Sequence, residues 1–180
     1  MHTHNLQLLR YDATLKEKRN LLIFLNLKTG LNEDGTLNLL DELEEDVVAG
    51  HLFKLNDLKS QNANLKAIAA VGGFNEPLNA NWSSMAANSV SRNTFVQSCL
   101  QFIEENKLNG IDIDWEYPNS PGNQVEDKDN FVLLLQDLKK ALGPKSLSVS
   151  AAIGAGEWRT GQSYKVPEIF AACDFVNLMT

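Results

Sequence analysis

Asn109-Gly110-Ile111-Asp112-Ile113-Asp114-Trp115-Glu116-Tyr117-Pro118 alternates acidic and apolar side chains with a period of two. Successive side chains on a strand point to opposite faces, so Asp112, Asp114 and Glu116 share one face and Ile111, Ile113 and Trp115 the other. If the strand is central and parallel, the acidic face lies inside the protein. Neighbouring carboxylates withdrawn from water cannot all stay ionised at modest cost, so at least one is expected to hold a proton near neutral pH. A protonated carboxylic acid beside ionised neighbours is the arrangement that general-acid cleavage of a glycosidic bond requires. Two other readings compete. A solvated edge strand fits poorly because Asp disfavours strands and helical patterns flank this one on both sides. A Mg²⁺ or Ca²⁺ site would use such oxygens, but the neighbouring sequence offers no further ligand cluster.

Outward from this strand, the chain alternates short apolar runs with helical patterns. Residues 21–27 form a nearly continuous apolar run, suited to a strand covered on both faces, and Asn32-Glu33-Asp34-Gly35 supplies turn chemistry. Leu52, Leu55 and Leu58 recur at helical spacing, and residues 65–71 form a second apolar run closed by Gly72-Gly73. Ser91 is placed to cap a helix with Phe95, Cys99, Phe102 and Ile103 on its apolar face, and Asn109-Gly110 ends that unit. The acidic strand is predicted over 111–116, followed by a loop over 118–122 and a helix that Glu126 and Asp127 lead to Leu142. Gly143 is expected to stop that helix. Strands over 147–153 and 175–179, with a short helix over 166–171, complete a parallel α/β pattern. The periodicity fits a (β/α) barrel or a doubly wound sheet. At 180 residues the chain is short of the roughly 200–250 that a complete eight-stranded barrel needs, so an incomplete barrel is the expectation.

Composition narrows the function. Sixteen Lys and Arg against 23 Asp and Glu leave a net charge of −7, which repels phosphate backbones and anionic headgroups, so neither nucleic acid nor a membrane surface is an expected partner. No apolar stretch approaches the roughly 20 residues of a membrane span. Residues 1–20 are polar and basic and lack the apolar core of a secretory signal. Cys99 lies on an apolar helical stripe and reads as a buried thiol rather than half of a disulfide. Asn81-Trp82-Ser83 fits the N-glycosylation pattern, which matters only in a secreted protein.

The segment Asp112-x-Asp114-x-Glu116-Tyr117-Pro118 resembles the fourth-strand motif of the family 18 glycoside hydrolases, the chitinases and chitinase-like proteins, particularly their arthropod branch. Asn109 stands where the family carries the first acid of the motif. Lys66-Ala-Ile-Ala-Ala-Val71-Gly72-Gly73-Phe74-Asn75 is similar to the third-strand segment, with Phe74 in place of the usual Trp. Residues 147–153 and 164–169 resemble the fifth strand and the approach to the sixth. Asp174-Phe-Val-Asn-Leu-Met179-Thr180 resembles the start of the sixth-strand motif, whose Tyr and Asp come next in the family.

The resemblance implies a partial (β/α)8 catalytic domain over 21–180, preceded by residues 1–20 of unclear origin. It further implies a substrate-assisted retaining glycosidase acting on β-1,4-linked N-acetylglucosamine, needing no metal or cofactor, and secreted. Glu116 would be the general acid, Asp114 the group that holds the substrate's acetamido N–H, and Asp112 its support. Gly73, Phe74, Asn75, Tyr117 and Met179 would contact chitin or its oligosaccharides, although Gly72-Gly73 could equally end a strand, and Phe74 or Met179 could be core residues. A chitinase-like lectin or growth factor that binds sugar without cutting it is the alternative, favoured by the Asn109 and Phe74 departures. A third expectation is that the chain alone is an inactive piece with unpaired sheet edges.

Overall fold

A computed structural model describes residues 21–26, 29–31, 36–39, 42–74, 76–120 and 124–180. The expected turn at 32–35, residues 1–20, Leu27, Asn75 and residues 121–122 of the loop lie outside the described residues.

In chain order the elements are β1 (Leu21–Asn26), β2 (Thr29–Leu31), β3 (Leu37–Leu39), α1 (Glu42–Gln61), β4 (Leu65–Gly72), α2 (Glu76–Ala87), α3 (Ser89–Glu105), β5 (Gly110–Asp114), α4 (Asp127–Leu142), β6 (Ser148–Gly154), α5 (Glu157–Ser163), α6 (Val166–Ala172) and β7 (Phe175–Met179). Strands β2 and β3 form a small antiparallel ribbon. The others make one five-stranded sheet in the order β1-β4-β5-β6-β7, with every neighbouring pair parallel. A doubly wound sheet reverses its strand order at a switch point. Here each successive strand is laid beside the last in one direction, the order of a (β/α) barrel. The described sheet is therefore part of such a barrel, with β1 and β7 at its ends.

The two faces of this sheet differ in composition. Ala67, Ala69 and Val71 of β4, Ile111 and Ile113 of β5, and Val149, Ala151 and Ile153 of β6 pack into one buried cluster with α2, α3 and α4. Trp115 continues this face beyond β5, stacking on Trp82 at 5.8 Å and meeting Phe131 edge-on at 5.6 Å. Phe95 meets Trp82 edge-on at 5.6 Å. Such ring pairs add roughly 0.5–1.5 kcal/mol each beyond the area they bury. Beyond Ile68, toward the C-terminal ends of the strands, the opposite face carries Ala70, Gly72, Asp112, Asp114, Ser150, Ala152 and Gly154, small or polar residues in adjacent register.

Asx residues fix that register at the N-terminal ends of the strands. Asn109 accepts from Ala67 N through Oδ1 at 3.0 Å and donates its own N–H to Ala67 O at 2.7 Å. Asp174 does the same for Val149, accepting at 2.9 Å and donating at 2.8 Å.

The structure changes several boundaries. Asn88, not Ser91, caps α3: its backbone is extended and its Oδ1 accepts from Val90 N at 2.7 Å. The Ser91 hydroxyl, already inside the helix, contacts Met85 O at 2.8 Å and so ties α2 to α3. Gly143 stays right-handed and begins a short 3₁₀ turn, so the left-handed stop falls on Ser146. Helices α2 and α5 were not expected from the sequence. Cys99 is a buried free thiol, and Cys173 is also free. The glycosylation pattern falls in α2, where Trp82 is core and Ser83 Oγ is buried against Asp127 at 2.7 Å. No helix among the described residues is long and apolar enough to cross a membrane.

Candidate active site

The acids gather at the C-terminal end of β5, on the face away from the helical core. Strand pairing stops at Asp114 rather than continuing to 116, because the neighbouring β4 ends in Gly72 and Gly73 with φ of +108° and +106°. Gly73 N donates to Asp114 O at 2.8 Å, and a Cβ on Gly72 would sit 2.2 Å from that same carbonyl. Only glycine fits this turn. Glu116 therefore stands just past the ladder, half-buried, at the rim where β/α barrels place their chemistry.

Asp112 is buried and its Oδ1 is held from both sides. Ser150 Oγ of β6 donates at 2.5 Å, and Asn177 Nδ2 of β7 donates at 3.1 Å. Burial raises the Asp112 pKa, and these two hydrogen bonds oppose the rise. The same two hydrogens occupy lone pairs that a hard cation would otherwise use. Asp114 is different. Burial first, then the charges of Glu116 and Asp112 and a proton it can share with Glu116, push its pKa up to about 7. Its Oδ1 is buried and has no hydrogen-bond partner among the described residues. The trio thus combines an anchored acid, an acid that holds a proton near neutrality, and a half-exposed acid beside it.

Tyr117 follows Glu116, and burial and the Glu116 carboxylate raise its pKa. Tyr164 is buried edge-on to Tyr117 at 6.4 Å, and its hydroxyl donates to Trp115 O at 3.2 Å. This bond fixes the backbone immediately before Glu116.

The family model for the glycosyl hydrolases family 18 matches residues 14–180. The chain belongs to this family. It is 33% identical over 144 residues to probable chitinase 2 of Drosophila melanogaster, covering 80% of this chain and 30% of that protein. It is 36% identical over 133 residues to chitotriosidase-1 of Mus musculus, covering 70% and 28% of the two chains. Among solved structures, the Ostrinia furnacalis Group IV chitinase in complex with allosamidin superposes with a TM-score of 0.81 at 34% identity, over 88% of this chain and 42% of that one. The chain spans less than half the length of each of these relatives.

Of the remaining residues singled out in this family 18 chain, Gly73, Phe74 and Met179 lie at the C-terminal ends of their strands. Gly73 lies against the acid: a Cβ there would be 3.7 Å from Asp114 Oδ2. Phe74 is 79% exposed, so it is not a core residue. Met179 is half-buried on β7, two residues beyond Asn177 and hence on the same face. Asn75 lies outside the described residues. Asn109 sits at the opposite end of β5, seven residues at about 3.3 Å each, or roughly 23 Å, from Glu116. Its side chain binds β4 backbone at the end of the strand away from the acids.

Ser150 and Asn177 were not singled out from the sequence. Their partner, Asp112, lies 38 and 65 residues away along the chain. The available signal was the period of two: once β5, β6 and β7 are neighbours in register, polar residues interrupting apolar strands on the acidic face become candidate partners.

Proposed function

We propose that this chain carries the acid centre of a secreted chitin hydrolase, with residues 21–180 forming part of its catalytic domain. The substrate is a polymer or oligomer of β-1,4-linked N-acetylglucosamine, cleaved by substrate-assisted retaining catalysis. Glu116 donates its proton to the glycosidic oxygen as the bond to the anomeric carbon breaks. The acetamido carbonyl oxygen of the same sugar closes on that carbon, giving an oxazolinium ion. Water, deprotonated by Glu116, then opens the ring with net retention. Asp114 accepts the acetamido N–H and offsets the positive charge of the ring, while Asp112, held by Ser150 and Asn177, adds negative potential from behind. Gly73, Phe74, Tyr117 and Met179 line the rim where the sugar rests. The partially protonated Asp114, with a buried oxygen that has no partner among the described residues, is the observation that carries this reading.

A sugar-binding protein without turnover is the alternative, now supported by Phe74 alone, since Asn109 acts on the backbone. Hydrolysis of a labelled N-acetylglucosamine hexamer by the whole protein separates the two. Turnover should fall by about 10²–10⁴ in Glu116→Gln. Tight binding with no hydrolysis by the unmodified protein would establish the alternative. The 180-residue chain alone is expected to show no turnover; robust hydrolysis by that purified material would contradict this.

A further inference from the structure

On the other side of Glu116 from Phe74, helix α5 presents a second exposed aromatic residue. Trp158 is 65% exposed. Beneath it the Arg159 guanidinium lies 4.8 Å from the Trp158 ring and 4.3 Å from the Tyr117 ring, so it is in contact with both aromatics. Cation–π contact with two rings restrains an otherwise mobile side chain. The arrangement depends on Gly154 at the end of β6, where a Cβ would come within 3.2 Å of Arg159 Cγ and 3.6 Å of Tyr117 Cε1. The helix is fastened at two points: Thr160 Oγ1, at its middle, donates to Gly154 O at 2.7 Å, and the hydroxyl of Tyr164, just after α5, donates to Trp115 O. The Arg159–Tyr117 and Tyr164–Trp115 contacts lead back to the segment that carries Glu116.

An exposed indole on so well-fastened a support costs solvation and contributes nothing to the core. Held rigidly, it is suited to bind a flat, partly apolar ligand with little loss of side-chain entropy. A β-linked pyranose ring presents such a surface, because its equatorial hydroxyls leave axial C–H groups on each face. Since β4, β5 and β6 are adjacent and strands lie about 4.8 Å apart, Phe74 and Trp158 flank the acid from the two neighbouring strand ends.

We propose that Trp158 is a sugar-stacking platform, carried on the Arg159–Tyr117 stack, that binds a pyranose unit of the oligosaccharide on the β6 side of Glu116. This rests on the proposed function for its ligand. It adds a specificity-determining residue: chains long enough to extend over α5 are held more tightly than short ones.

The test uses the whole protein carrying Glu116→Gln, so that sugar is bound but not consumed, labelled with 5-fluorotryptophan. The Trp158 ¹⁹F signal is assigned by its loss in Trp158→Phe. Titration with the N-acetylglucosamine hexamer should move that signal, and Trp158→Ala should weaken hexamer binding on the order of tenfold while changing dimer binding less than about twofold. Trp158→Phe, which keeps an aromatic face, should retain most of the affinity. Hexamer binding with a stationary Trp158 signal, or equal affinities in Trp158→Ala and its parent, would overturn the platform and leave the proposed function standing. Failure of the Glu116→Gln protein to bind any oligosaccharide would overturn both.

Discussion

The two ends of β5 use similar polar side chains for opposite purposes. At the N-terminal end, Asn109 has its oxygen occupied by a β4 backbone amide, and the equivalent residue before β7, Asp174, does the same for β6. At the C-terminal end, Asp114 keeps a buried oxygen without a partner among the described residues, and its pKa is pushed up to about 7. A satisfied carboxylate or amide stabilises the sheet and is chemically quiet. An unsatisfied one costs stability and is available to a substrate. Asn109 holds the strand through its side chain, whereas Asp114 leaves a buried oxygen without a partner among the described residues.

The contrast can be broken most severely at the turn that creates the acidic rim. Gly72→Ala places a methyl group 2.2 Å from Asp114 O in a backbone region closed to L side chains, and should cost about 4 kcal/mol or more in urea denaturation.

A smaller effect comes from pH. Asp114 titrates at about 7 in the fold against roughly 3.9 unfolded, so the folded state binds the extra proton between these values. Stability should therefore fall as pH rises from about 4 to 7, by at most about 1.4 kcal/mol per unit from this group. Urea melts at several pH values should show a shallower decline in Asp114→Asn. Burial raises Asp112 and Asp127 in the same direction, so the slope should not vanish.

The quiet end gives less. Asn109→Ala leaves the buried Ala67 N–H without its acceptor and should cost about 2 kcal/mol, whereas Asn109→Asp should be nearly neutral. Neither should move the pH profile of hydrolysis by the whole protein. A shifted profile in Asn109→Asp would mean that the first motif position does tune the acids. The smallest effect belongs to Lys139, whose ion pair with Asp174 is partly exposed. Lys139→Ala should change stability by less than about 0.5 kcal/mol, since Asp174 keeps its bond to Val149.

The sheet was largely legible in the sequence because parallel strands buried on both faces leave continuous apolar runs: β7 falls on 175–179 as expected, β4 runs one residue further, β6 is shifted by one residue, and the described part of the 21–27 run forms β1. The acidic face was legible from the period of two alone. Helix α2 was not, because its core residues Trp82, Met85 and Ala86 lie among Asn and Ser that obscure the helical stripe. Helix α5 was missed because seven residues are too few to display a period. The end of β5 was misplaced by two residues because a positive-φ turn in the adjacent strand decides it. The partners of Asp112 emerge only when three strands are laid side by side.

The coupling of Asp114 to Glu116 is tested most directly by following the Asp114 carboxyl carbon by ¹³C NMR as pH is varied, in the protein and in Glu116→Gln. The expected midpoint is near 7, falling in the variant toward but not reaching the ordinary aspartate range, since burial remains when the neighbouring charge is removed. A midpoint near 4 in both proteins would show that the acids do not share a proton, and would contradict the account.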